Sequence, residues 1–176
     1  MKEVLLLRHA KSSWDSDTTR DFDRPLNGRG RRAAPLIGAY LAAHDLIPER
    51  IYCSAAARTR ETLALMVDGW PQAPATRFDE GLYLASPDHM RATIRAADPE
   101  ADRIMLIAHN PGLETLALHL ADPDASDRVA LRELSEKYPT GGLADFAFDV
   151  SDWADVAPRT GKLRRFIAPR RLADDT

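Results

Sequence analysis

The sequence predicts a three-layer α/β/α sandwich with a mostly parallel central sheet. Three observations carry this reading. Val4-Leu5-Leu6-Leu7 and Ile104-Met105-Leu106-Ile107-Ala108 are unbroken apolar runs, the pattern of strands buried on both faces. Segments of helical spacing alternate with the short apolar runs, as in α/β domains. Polar clusters follow three of the expected strands, where open α/β sheets bind ligands.

The first strand ends in Arg8-His9-Ala10-Lys11-Ser12. From Trp14 to Pro25 the chain is polar and ends on proline, an irregular surface loop. Asn27 is positioned to cap a helix reaching about Ala43, with Ala33, Ala34, Ile37, Tyr40 and Leu41 on its inner face. Ile51-Tyr52-Cys53 reads as the second strand, and Ser54 opens a helix through Arg58, Thr62, Leu65 and Met66. Arg77 to Tyr83 is a short extended piece and a turn. Ser86-Pro87 starts a helix over about 87–97, with proline in its first turn. After the strand at 104–108 comes His109-Asn110-Pro111-Gly112 and a helix carrying Leu113, Leu116, Ala117 and Leu120. A polar loop over 122–128 precedes a helix over 129–137, which Pro139-Thr140-Gly141-Gly142 ends. Ala144 to Val150 and Lys162 to Ala168 alternate as strands, the second closed by Pro169. No repeat or linker interrupts the pattern, so residues 1–176 are expected to form a single domain.

Composition narrows the function classes. A chain 44% hydrophobic and 29% charged fits a soluble globular protein. The net charge of −3, with Lys and Arg scattered, lacks the basic bias of a nucleic-acid binder. No run approaches the ~18 apolar residues of a membrane span, and the first apolar stretch is too short for a signal-peptide core. No membrane partner and a cytoplasmic location are therefore expected. Cys53 is the single cysteine and reads as core. No His pair at i,i+4 and no Cys cluster suggests a metal, and no cofactor is expected.

Right-handed crossovers bring Arg8-His9, Ser54 to Arg58 and His109-Asn110 to one edge of the sheet. Two guanidinium groups at one place repel unless an anion lies between them, and a phosphoryl group suits both forks. Nearby arginines disfavour imidazolium, which leaves His9 neutral and nucleophilic. Helix amino termini after Ser54 and Asn110 add backbone donors. The chemistry that suits such a set is phosphoryl transfer through a phosphohistidine.

These residues resemble the histidine phosphatase superfamily, whose members include cofactor-dependent phosphoglycerate mutases. The family's Arg-His-Gly motif appears as Arg8-His9-Ala10. Leu26-Asn27-Gly28-Arg29-Gly30 matches the start of its first helix. Its Ser-x-x-x-Arg-Thr-x-x-Thr motif appears as Ser54, Arg58, Thr59 and Thr62. Its late histidine appears in Ile107-Ala108-His109-Asn110-Pro111-Gly112. Ser12 and Trp14 also fall at familiar positions. The resemblance implies a phosphoglycerate mutase-like fold with His9 as nucleophile, Arg8 and Arg58 as phosphate clamps and His109 as second phosphate-binding histidine. Ser12 and Asn110 complete the expected phosphate-binding set. The chain most resembles the short SixA-type phosphohistidine phosphatases, which implies a phosphohistidine-bearing signalling protein as substrate. A small-molecule phosphomonoesterase, and a non-catalytic phosphate-binding module, are the alternatives. A mutase would need a lid against water, and no segment is long enough for one.

Two departures from the pattern matter. Asp15 stands where mutase-like members carry a phosphate-binding Asn; a carboxylate there repels phosphate and is expected to point away. Glu80, with Asp79 adjacent, lies near the family's acidic position. A catalytic acid and a solvated acidic turn are both open readings of Glu80. Trp14 and Tyr83 are placed at the crevice mouth. His44, His89 and His119 read as surface or packing residues. Arg29, Arg31 and Arg32 read as a solvated helix face, with an acidic partner domain as the alternative, and Arg164, Arg165, Arg170 and Arg171 read likewise.

Overall fold

A computed structural model describes residues 1–15 and 20–174. Residues 16–19, the middle of the expected surface loop, lie outside the described residues. Six strands form one sheet in the order β3-β2-β4-β1-β5-β6. These are β1 (Lys2–Arg8), β2 (Arg50–Ser54), β3 (Ala75–Asp79), β4 (Arg103–Ala108), β5 (Leu143–Phe148) and β6 (Gly161–Ile167). The first four run parallel, while β5 pairs antiparallel with both β1 and β6. This is the mostly parallel α/β sheet that the sequence predicts.

The three layers follow from the period-2 alternation of strand side chains. Val4 and Leu6 of β1, with Ile104 and Leu106 of β4, join one buried cluster. That cluster takes in Met90 and Ile94 of α3 (Pro87–Arg95), Leu113 and Leu116 of α4 (Gly112–Leu120), and Leu134 of α5 (Arg128–Glu136). Leu5, Leu7, Met105 and Ile107 point the other way. They meet Ile37 and Leu41 of α1 (Gly28–Ala43) and Leu63 and Met66 of α2 (Ala57–Val67).

Local signals set most boundaries. Asn27 caps α1 by accepting a hydrogen bond from the Gly30 N–H at 2.9 Å, and Ser86 caps α3 through the His89 N–H. Two expectations are corrected. Ser54 does not open α2; it is the last residue of β2, and the helix starts three residues later. Pro169 ends β6 but also begins α6 (Pro169–Asp174), its fixed φ suiting the first helical turn.

Arg164 and Arg165 also depart from the reading as solvated charges. Both pair with Asp145, which is completely buried in β5. Arg164 further contacts Glu3, which Arg103 also holds. A buried carboxylate needs such partners. Cys53 is fully buried in β2, and burial pushes its thiol up to about 12. No described helix is long and apolar enough to cross a membrane.

Candidate active site

The sheet register builds the site. Arg8 of β1 lies beside Ala108 of β4, so the next residues, His9 and His109, leave the sheet side by side. Their ring centroids are 5.3 Å apart. Cys53 of β2 lies beside Ile107, which sets Ser54 next to the base of His109. The His109 Nε2 and Ser54 Oγ are 2.7 Å apart.

The Ser54-to-Thr62 segment then locks the loop after β1. Thr59 Oγ1 donates to the Ser54 carbonyl at 2.7 Å and fixes the entry to α2. Thr62 Oγ1 donates to the Arg58 carbonyl and accepts the Ala10 N–H at 3.0 Å. Each residue of that motif thus has a bond to make. From the other side, the Gly141 N–H reaches both the Arg8 and His9 carbonyls. Gly141 has φ +72°, and a Cβ there would lie 2.6 Å from Pro169 Cγ. Glycine is what the turn requires.

Arg8, His9, Arg58 and His109 all line one crevice of about 380 Å³, together with Ser12 and Asn110. His9 is 6% exposed, and its Nδ1 is 2.8 Å from the Ala10 carbonyl. A carbonyl can only accept, so Nδ1 carries the proton and Nε2 holds the free lone pair. Arg58 Nε–H donates to that Nε2 at 3.3 Å. Arg58 itself is buried in the first turn of α2. Arg8 donates from Nη1 to the Tyr138 carbonyl at 2.9 Å, while its buried Nε has no partner among the described residues.

Burial, joined by the charges of Arg58, Arg8 and Arg24, holds His9 down at about 4. Burial, with His9 and Arg58 nearby, holds His109 at about 3. Both rings are therefore neutral at pH 7. The Ser54 hydroxyl accepts from the Ala56 N–H at 3.4 Å and shares a second hydrogen bond with His109 Nε2. His109 Nδ1 is buried and without a partner among the described residues.

Ser12 and Asn110 sit at the crevice with their side chains engaged. Ser12 Oγ accepts from Arg24 Nη1 at 3.0 Å. Asn110 donates to the Tyr138 carbonyl and accepts the Glu114 N–H, tying the first turn of α4. Asp15 is exposed and outside the crevice lining, as expected of a carboxylate that repels phosphate. Glu80 is not brought into the set. It is exposed at the start of the 3₁₀ turn Glu80–Leu82 and is not among the lining residues. Asp79 is turned to the Gly81 N–H and Arg77. Trp14, 71% exposed, lines the mouth with the Arg24 guanidinium stacked 3.5 Å from its ring. The Tyr83 ring meets His109 edge-on at 5.5 Å.

The carboxylate that does line the crevice is Asp21. It lies in the 3₁₀ turn Asp21–Asp23, inside the stretch read as a surface loop. Its carboxylate accepts from Arg58 Nη2 and Arg24 Nε, and from the Tyr83 hydroxyl. Burial raises its pKa, but the Tyr83 and Arg24 hydrogen bonds and the Arg58 charge outweigh that and hold it at about 2. No spacing in the sequence marks Asp21, because only the folded turn carries it to Arg58. Among the described residues no group of three or more His, Cys, Asp or Glu side chains could hold a metal ion.

Residues 4–117, which contain every part of this crevice that strands β1, β2 and β4 supply, match the family described as the histidine phosphatase superfamily (branch 1). The chain belongs to the histidine phosphatase superfamily. A relative from Mycobacterium tuberculosis strain H37Rv, itself uncharacterised, is 37% identical over 93% of this chain and all of its own length. A Nakamurella multipartitia structure assigned as phosphohistidine phosphatase SixA superposes with a TM-score of 0.82 at 28% identity, covering 96% of each chain. One from Agrobacterium tumefaciens with the same assignment gives 0.77 at 29%, covering 96% of this chain and 98% of that one. A tungstate complex of the protein histidine phosphatase SixA shares the fold at 0.76 and 19% identity, over 97% of this chain and 99% of that one. In this histidine phosphatase the fold agrees with those neighbours along nearly the whole chain.

Proposed function

We propose that this chain hydrolyses phosphohistidine on a protein substrate, with His9 as the nucleophile. The observation that carries the reading is the His9 ring. Its Nδ1–H is tied to the Ala10 carbonyl, its Nε2 lone pair accepts the Arg58 Nε–H, which a phosphoryl oxygen can take over, and its depressed pKa keeps it neutral. In the first step Nε2 attacks phosphorus; the new N–P bond forms as the substrate's P–N bond breaks. The substrate ring, already protonated by solvent on its other nitrogen, leaves as neutral imidazole. In the second step water attacks phosphorus, the His9 N–P bond breaks, and inorganic phosphate leaves with the oxygen of that water. Arg8 and Arg58 clamp the phosphoryl oxygens and offset charge that grows in the transition state. His109, its ring beside that of His9, is the second histidine of the phosphate site. The Ser12 and Asn110 positions are the rim of the phosphate site.

The substrate class follows from the leaving group. Among the described residues no carboxylic acid in its protonated form lines the crevice: Asp21 is fully ionised at neutral pH, and Glu80 stands outside. An alkyl oxygen needs a proton from such an acid, whereas imidazole is the better leaving group. The names of the Nakamurella multipartitia and Agrobacterium tumefaciens neighbours support the same substrate.

The test is chemical trapping. Enzyme mixed with a labelled phosphohistidine protein and denatured in alkali should carry acid-labile phosphate on His9. His9→Ala should carry none and should not turn over. Wild-type turnover by His9→Ala would sink the proposal.

A further inference from the structure

Beside the crevice runs a second cavity of about 480 Å³, between the first turns of α1, the 137–140 turn and α6. It is continuous with the phosphate site, since Arg8, Lys11 and Thr140 line both. Among the described residues its cations are Arg8, Lys11, Arg29, Arg32, Lys137 and Arg170, against one carboxylate, Asp174. Among the described residues, Lys11, Arg29, Arg32, Lys137 and Arg170 form no ion pair. This is a local excess of positive charge on a chain whose net charge is −3. Arg31, between two of these residues, is different: it bonds back to the Leu26 carbonyl. Arg29 and Arg32 are exposed, as a solvated helix face requires, and they also line this cavity.

We infer that this groove binds an acidic polypeptide segment next to the phosphorylated side chain, and so selects the protein substrate. The inference rests on the protein-substrate reading above and adds to it the chemistry of the partner. Like charges held together in water raise the local potential and attract an opposite charge. A phosphorylated side chain seated between Arg8 and Arg58 must lead its backbone out over the rim, and the groove opens at that rim. Ala33, Leu36, Ala168 and Pro169 give it an apolar lining beneath the cations. That combination fits a peptide bearing carboxylates and apolar side chains together. A bare polyphosphate would leave the apolar lining unused.

The contacts are exposed, so they set encounter rate and partner choice, and salt screens them. Two labelled peptides, each with one phosphohistidine, decide the matter: one flanked by glutamates, the other by glutamines. Wild-type enzyme should favour the acidic peptide by about tenfold in kcat/KM at low salt, and lose most of the preference at high salt. The combined Arg29→Gln, Arg32→Gln, Arg170→Gln variant should lose the preference at any salt. Its turnover of p-nitrophenyl phosphate, which reaches none of these residues, should stay within about twofold of wild type. No preference in the wild type, or one that survives in the variant, overturns the inference. If neither peptide is hydrolysed while p-nitrophenyl phosphate is, the phosphohistidine reading fails instead. Fluorescence anisotropy of the unphosphorylated acidic peptide then still tests the groove, and equal binding to wild type and variant counts against it. Much tighter binding of ATP or polyphosphate than of the acidic peptide, lost in the same variant, would also overturn the assignment to a polypeptide.

Discussion

Asp21 holds Arg58 twice. Its carbonyl accepts from Nη1 at 2.7 Å, and its Oδ2 accepts from Nη2 at 3.1 Å. The phosphate clamp is thus positioned by a main-chain oxygen and by a negative charge. These two have different consequences for an anion. The carbonyl survives substitution of the side chain and keeps Arg58 in place. The carboxylate repels the incoming oxyanion.

Asp21→Asn should therefore strengthen vanadate binding, by about threefold to tenfold at low salt, the scale of removing one half-screened charge several ångströms away. Isothermal titration checks it. Weaker binding would mean that the carboxylate, not the carbonyl, orients Arg58.

Ser54→Ala tests how His109 holds its proton. The variant leaves the Ala56 N–H and His109 Nε2 without the hydroxyl between them. Unmade buried bonds of this kind cost about 1–3 kcal/mol of stability. The ring also loses the bond that fixes its tautomer and its orientation, so kcat should fall with KM little changed. Equal kcat in variant and wild type would show that Ser54 has no part in setting the tautomer.

Acid should unfold this protein early, through its two crevice histidines. Free histidine titrates near 6.5, whereas burial holds His9 at about 4 and His109 at about 3 in the fold. The unfolded chain thus binds more protons as pH drops below about 6.5, and the native state loses stability until pH passes the folded values. Their contribution is intact above pH 6.5. Asp21, held at about 2, remains ionised throughout that window. The Tm of wild type should fall from pH 7 to pH 5 by more than that of His109→Gln, measured by calorimetry without phosphate. Parallel curves would remove His109 as a source of the acid sensitivity.

Glu80→Gln should change turnover of an aryl phosphate and of an alkyl phosphate by less than about twofold, because loss of a general acid costs on the order of 10²–10⁴ and Glu80 lies outside the crevice lining. A large loss confined to the alkyl phosphate would bring Glu80 back as the proton donor.

What could be read from the sequence is what neighbours in the chain determine. The apolar runs at 4–7 and 104–108 announce central strands, and Asn27 announces its helix, because burial period and capping are local. Arg8, His9, Arg58 and His109 were readable because each follows a strand end that parallel topology brings to one edge. Asp21 was not: its partner Arg58 is 37 residues away, and a 3₁₀ turn with no distinctive pattern delivers it. Arg29 and Arg32 show the same limit. Their charge is plain in the sequence, but the groove that gathers it exists only once α6, a helix without a sequence signal beyond Pro169, packs against α1.

The contact between Gly30 and Lys11 bears on how such a protein can change. A Cβ at Gly30 would lie 2.1 Å from the Lys11 carbonyl oxygen, and that same oxygen accepts the Asn27 N–H at 3.0 Å. The loop after His9 is therefore docked on α1 through its main chain. Among the described residues the Lys11 and Ser13 side chains make no hydrogen bond to α1, whereas Trp14 stacks on Arg24, which holds Ser12 and Ser13. Mutations at Lys11 and Ser13 can alter what approaches the mouth without moving the nucleophile. Any mutation at Gly30 shifts the nucleophile's own loop. Selection for a new partner thus has two positions open to it and one closed.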